Sequence, residues 1–105
     1  MSTARLALTT TASREEAERI AHALVEERLA ACVNIASGVR SIYRWQGAVE
    51  TADEVLLLIK TTVQHIDKLR MRLDELHSYE LPEFLVLEIA GGSQEYLDWV
   101  SASLR

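Results

Sequence analysis

The seven residues His77-Ser-Tyr-Glu-Leu-Pro-Glu83 set an imidazole, a phenol, two carboxylates and the chain's single proline side by side. An imidazole is a common ligand for copper, nickel and zinc, and Glu80 or Glu83 could add oxygen donors. The competing reading is architectural: a histidine at the end of a helix is favoured by the helix dipole and can stack on Tyr79. Pro82 accounts for part of the segment, because it drives Leu81 into an extended conformation and stops a preceding helix. Cys32 is the one thiol, a soft donor suited to Cu(I), although between Ala31 and Val33 it also reads as a small buried apolar residue. Lys60 ends an apolar run, where a functional cation and a structural salt bridge are equally in keeping. His22 and His65 fall on polar helix faces and read as surface residues. No Cys-x-x-Cys, His-Glu-x-x-His or phosphate-binding loop is present, and no spacing joins Cys32, a histidine and a carboxylate, so no catalytic residue is assigned.

The elements that must position these residues can be read from the apolar periodicity. Residues 4–10 read as a strand with Leu6 and Leu8 on one face. Ser13-Arg-Glu-Glu16 has the form of a capping box, with Glu16 reaching back, and opens a helix over about 14–29. Residues 33–45 return to strand, with Val33, Ile35, Val39, Tyr43 and Trp45 assigned to one face and a bulge or bend at Gly38. Gln46-Gly47 predicts a tight turn, and 48–60 a second long strand, apolar on both faces from 55 to 59 and therefore central. Thr61-Thr-Val-Gln64 has the form of a second capping box, for a helix buried through Ile66, Leu69, Leu73 and Leu76. Residues 84–90 form a fourth strand, and Ser93 caps a short last helix. The order β-α-β-β-α-β-α is the split βαβ pattern, an α+β four-stranded antiparallel sheet with two helices on one face.

Two of these strands are too long for their surroundings. The central hairpin arms, at about thirteen residues and ~3.3 Å each, span about 43 Å. The first helix, at about 16 residues and 1.5 Å each, covers about 24 Å. The outer half of the hairpin, about 39–53, therefore overhangs, carrying Val39, Ile42, Tyr43, Trp45 and Val49. Bare apolar side chains and open strand edges invite pairing with another chain, so a closed homo-oligomer is expected; the alternative is a hairpin that curls back over its own sheet.

The 105 residues fit a single domain, 1–105, with a net charge of −5. No Lys/Arg cluster offers a footprint for nucleic acid or an anionic membrane, and no apolar run is long enough to cross a bilayer. A single cysteine excludes an intrachain disulfide and fits a reducing, cytoplasmic setting.

Leu-Ala-Ala-Cys-Val-Asn (29–34), Tyr-Arg-Trp-Gln-Gly (43–47), Leu-Ile-Lys-Thr (58–61), His-Ser-Tyr-Glu-Leu-Pro-Glu (77–83) and Tyr-Leu-Asp-Trp (96–99) occur in the order of the divalent-cation-tolerance, or CutA, family, which the whole chain resembles. The resemblance implies a ferredoxin-like fold assembled as a homotrimer through long hairpin strands. It implies a non-catalytic role in tolerance of copper and other divalent metal ions, with no obligatory cofactor. Members that bind metal have a cysteine at the end of the first strand, where this chain has Thr9, and a histidine pair where it has Leu76-His77. His77 is thus the one matching ligand; Cys32 stands as a weak candidate on its soft-donor chemistry alone, and Tyr43, Trp45, Lys60, Tyr79, Glu80 and Pro82 are expected to shape a cleft between subunits. The architecture also resembles the PII signalling proteins, which would make the cleft a small-ligand site, although those carry a long mobile loop where this chain has Gln46-Gly47.

Overall fold

A computed structural model describes residues 3–105. The elements are β1 (Ala4–Thr11), α1 (Arg14–Glu26), β2 (Cys32–Trp45), β3 (Ala48–Thr62), α2 (Ile66–Leu76), β4 (Leu85–Glu88) and α3 (Gln94–Ala102). All sheet pairs are antiparallel, in the order β2-β3-β1-β4, which is the ferredoxin-like arrangement expected from the sequence. Ala7 of β1 and Val55, Leu57 and Ile59 of β3 meet Ala17, Ile20 and Leu24 of α1 and Leu69 and Leu73 of α2 in one core. Alternation then sends Leu6, Leu8, Leu56, Leu58, Leu85 and Leu87 to the opposite face. Leu85 and Leu87 are exposed there.

Several boundaries differ from the sequence reading. Helix α1 ends at Glu26, not near 29, because Arg28 turns into the left-handed region at φ 59°. The Leu29 N–H then reaches back to the Leu24 carbonyl, closing the helix as glycine usually does at this place. Ser13 caps α1 by accepting the Glu16 N–H at 3.1 Å, whereas the Glu16 carboxylate goes to Ser78 and not back to Ser13. The expected second capping box does not form. Pairing of Ala4 with Thr62 carries β3 two residues further, the Thr61 hydroxyl donates to the Leu29 carbonyl, and a 3₁₀ turn over Val63–His65 leads into α2. Strand β4 is shorter than expected because only Leu85 to Glu88 lie against β1.

The overhang is present. Strand β1 pairs with β3 only from Val55 to Thr62, so Ala48–Glu54 are held by β2 alone. The molecule measures 44 Å along its longest axis, which shows an extended hairpin and not one curled back. Its tip is a two-residue turn with Gln46 at φ 50° and Gly47 at φ 82°.

The face assignment for β2 is corrected by its bulge. Ala36 pairs with Leu56 but Val39 pairs with Glu54, so one extra residue sits around Gly38, whose φ is 82°. Val33 and Ile35 lie opposite Ile59 and Leu57, on the core face. Val39, Tyr43 and Trp45 pair with Glu54, Glu50 and Ala48 and change to the other face.

Arg28→Gly should stabilise the fold by on the order of 0.5–1 kcal/mol, because relief of the left-handed strain outweighs the added unfolded-state entropy. Gly47→Ala should cost about 1 kcal/mol at a positive φ that Ala disfavours. Urea midpoints at fixed protein concentration measure both.

Candidate functional site

The segment between α2 and β4 is held by hydrogen bonds of His77, Ser78 and Tyr79. His77 follows the last turn of α2, with its side chain fully buried. Its Nε2–H donates to the Thr10 carbonyl at 2.7 Å, and its Nδ1 accepts the Tyr79 N–H at 3.1 Å. Both ring nitrogens are therefore engaged. The Tyr79 ring lies 4.8 Å from the imidazole, tilted by 43°. Glu16, on α1, accepts the Ser78 N–H at 2.8 Å and stands 3.6 Å from His77 Nδ1. Burial pushes the Glu16 carboxyl up, but the bonds from Ser78 and the nearness of His77 and Arg19 outweigh it and hold the group below its ordinary range.

Tyr79 then reaches across to the hairpin. Its O–H donates to Glu54 Oε2 at 2.8 Å, and burial followed by this bond raises the phenol well above its ordinary value, so it stays a donor. The link leaves a cleft of about 780 Å³ between the outer hairpin and residues 79–85. Tyr43, Trp45, Tyr79 and Phe84 supply its rings, and Glu54, Glu80 and Glu83 its charges. Pro82 lies in the same wall. Of the residues the sequence grouped into a cleft, Tyr43, Trp45, Tyr79, Glu80 and Pro82 thus meet in a single chain.

Lys60 and Cys32 lie elsewhere. They pair across β3 and β2, with Lys60 Nζ 3.8 Å from Cys32 Sγ and bonded to Asn34 Oδ1. Six residues of strand, about 20 Å, separate Lys60 from Glu54. Cys32 and His77 are therefore not brought together, and no group of three His, Cys, Asp or Glu side chains suited to a metal ion occurs among the described residues. His22 is exposed as expected. His65 is half-buried, Nδ1 on the Thr62 hydroxyl and Nε2 on the Arg105 carbonyl, because its 3₁₀ turn folds against the chain's end. Thr9 is fully buried, with a hydroxyl that has no hydrogen-bond partner.

Sequence reasoning missed Glu16, Glu54 and Phe84. Glu16 carried a competing local role in the capping box, and Glu54 sits 25 residues from Tyr79 with no motif linking them.

Residues 5–103 match the family model described as CutA1 divalent ion tolerance protein. The chain is 57% identical over 93 residues to the "Divalent-cation tolerance protein CutA" of Thermus thermophilus, covering 89% of this chain and 90% of that one. It is 42% identical over 96 residues to "Protein CutA, chloroplastic" of Arabidopsis thaliana, covering 91% of this chain and 53% of the longer plant protein. The solved Cut A1 structure from Thermus thermophilus superposes with a TM-score of 0.95 at 52% identity, over 97% of this chain and 99% of that one. The CutA structure from Xylella fastidiosa gives 0.96 at 42%, over 99% and 100%. These names describe tolerance or the family, and none names an enzymatic reaction. No described helix is long and apolar enough to cross a membrane.

Glu16→Gln should destabilise the fold by on the order of 1 kcal/mol at neutral pH. A depressed folded pKa contributes stability fully above the unfolded value, near 4.5, and loses it as pH falls through the folded value. The difference between wild type and variant should accordingly shrink below pH 4.5 in thermal melts. Thr9→Val, which removes a buried hydroxyl without a partner, should raise stability by about 1 kcal/mol in urea unfolding.

Proposed function

The chain belongs to the CutA1 divalent ion tolerance protein family, and on that premise we propose that it acts in tolerance of divalent metal ions, copper among them, as a non-catalytic cytoplasmic homotrimer. The observation that carries the assembly is the overhang. Ala48–Glu54 of β3 present an edge that β1 does not reach, and Ile42 and Val49 are 70% and 63% exposed. Leu85 and Leu87, on the face away from α1 and α2, are exposed and add a second apolar surface. Closed pairing between copies removes both liabilities, and three-fold closure is what the family resemblance implies.

Metal contact is placed near His77 and at the clefts between copies. A single chain does not supply a fitting donor set, since both His77 nitrogens are engaged and Cys32 is at the other end of the sheet. A bound ion in this reading therefore takes donors from more than one copy, or takes Nδ1 after it releases the Tyr79 amide, with Glu16 as the nearest carboxylate.

Native mass spectrometry with added Cu(II) tests the proposal. Three copies per particle, taking up copper in multiples of three and less in His77→Ala, are expected. A monomer, or a trimer that ignores copper at every ratio, would sink the assembly or the metal reading respectively.

A further inference from the structure

We infer that the outer hairpin is a hinged arm, and that the Tyr79–Glu54 hydrogen bond is the latch that sets its angle for docking on a second copy of this chain. The docking rests on the assembly proposed above; the hinge and its latch do not. Three features meet at one level of the sheet. Pairing of β1 with β3 stops at Thr11 and Val55, so Glu54 is the first residue of β3 without a second neighbour. Directly across, the β2 ladder is interrupted between Ala36 and Val39, and Val39 is the partner of Glu54. Gly38, inside that interruption, has φ 82°, and nothing lies within 4 Å of where its Cβ would stand, so no side chain packs on the bulge from that direction. A bulge bends its strand and locally breaks the ladder, and a two-stranded ribbon twists more widely than a sheet. The arm therefore joins the body at its most compliant point.

The latch is anchored on the body before it reaches the arm. His77 is bonded to the Thr10 carbonyl, the Tyr79 N–H goes to His77 Nδ1, and Glu16 holds the Ser78 amide. The Tyr79 side chain thus leaves a fixed backbone, stacks on the imidazole and donates its O–H to Glu54 Oε2 at 2.8 Å. Both partners are half-buried, so the bond is shielded from water. The nearby Arg40–Asp53 pair, also at 2.8 Å, is exposed and joins β2 to β3 inside the arm, so it does not bear on the arm's angle. Leverage gives the latch its reach. The six residues from Glu54 to Ala48 span about 20 Å, so a rotation of about 10° at the hinge moves the tip by about 3.5 Å. A gap of ~1 Å already forfeits much of a van der Waals contact, so the angle decides whether the arm fits a neighbour's surface.

The test is peptide-resolved hydrogen–deuterium exchange on the full chain, comparing wild type with Tyr79→Phe, Glu54→Ala, the double variant and Arg40→Ala. Tyr79→Phe keeps the ring against His77 and removes only the O–H. Each latch variant should speed exchange over residues 39–54 by about fivefold or more, the loss of one hydrogen bond, and leave 55–62 unchanged. The double variant should add nothing to either single one, because both remove the same bond. Arg40→Ala should stay within about twofold of wild type, as an exposed ion pair contributes little. Unchanged exchange over 39–54 in Tyr79→Phe, an equal rise in 4–11 and 55–62, additive effects in the double variant, or an equal rise in Arg40→Ala would overturn the inference. Native mass spectrometry of the same samples separates the two readings. A monomeric wild type overturns the assembly and leaves the exchange comparison as the test of the latch. If the wild type assembles, Tyr79→Phe should dissociate at a concentration about fivefold higher or more, and unchanged dissociation would overturn the role in docking.

Discussion

Strand β3 must satisfy two neighbours of different length. It is 15 residues long and pairs with β2 along almost all of them, but β1 has only 8 residues and accompanies it over its second half. Backbone amides and carbonyls seek partners wherever water is excluded, so the half that β1 reaches becomes the centre of a buried sheet. The other half has no second neighbour within the chain. One strand is thus core at one end and open edge at the other, and the helices, which follow β1 and β3 in sequence, pack only over the paired half.

That division locates the chemistry. The connection from α2 to β4 has to cross the end of the sheet at the level where β1 stops. His77 binds the Thr10 carbonyl near the end of β1, Glu16 binds Ser78 from the first turn of α1, and Tyr79 spans to Glu54 at the first turn-ward residue beyond the β1 pairing. The imidazole, which by type alone suggested a metal ligand, is used in this chain as a brace that holds the Tyr79 backbone. The side chains it leaves facing outward, Glu80 and Glu83, are joined by rings from the overhang. Core, brace and cleft are consecutive results of one mismatch in strand length.

Much of this was legible in the residues. Alternation and helical spacing gave every element, and the apolar run from Val55 to Ile59 identified the central strand. Element ends were less legible, for physical reasons that can be named. Arg28 adopts a conformation that favours glycine, so nothing in its type announced the helix end. Thr61 and Thr62 suit a cap and a strand equally, and pairing with β1 decided between them. Tyr43, Trp45, Tyr79, Glu80 and Pro82 were expected to shape a cleft between subunits, and one chain by itself already brings these five to a common groove. Glu54 and Glu16 were not legible, since their partners are 25 and 62 residues away and tertiary contact alone selects them. Lys60, expected in the same intersubunit cleft, lies at the opposite end of the strand within one chain.

The bulge at Gly38 gives β2 an arithmetic of its own. Along a strand, side chains answer only to whether their position is odd or even, and the extra residue there changes the parity of everything between it and the turn. Substitutions anywhere in 39–45 alter one side chain and leave the others facing as before. Loss of one residue at the bulge would behave like a shift of reading frame confined to seven positions. Tyr43 and Trp45 would exchange faces with Ile42 and Arg44 although no residue beyond the bulge had been changed. Length, more than identity, is the inherited information in this part of the chain.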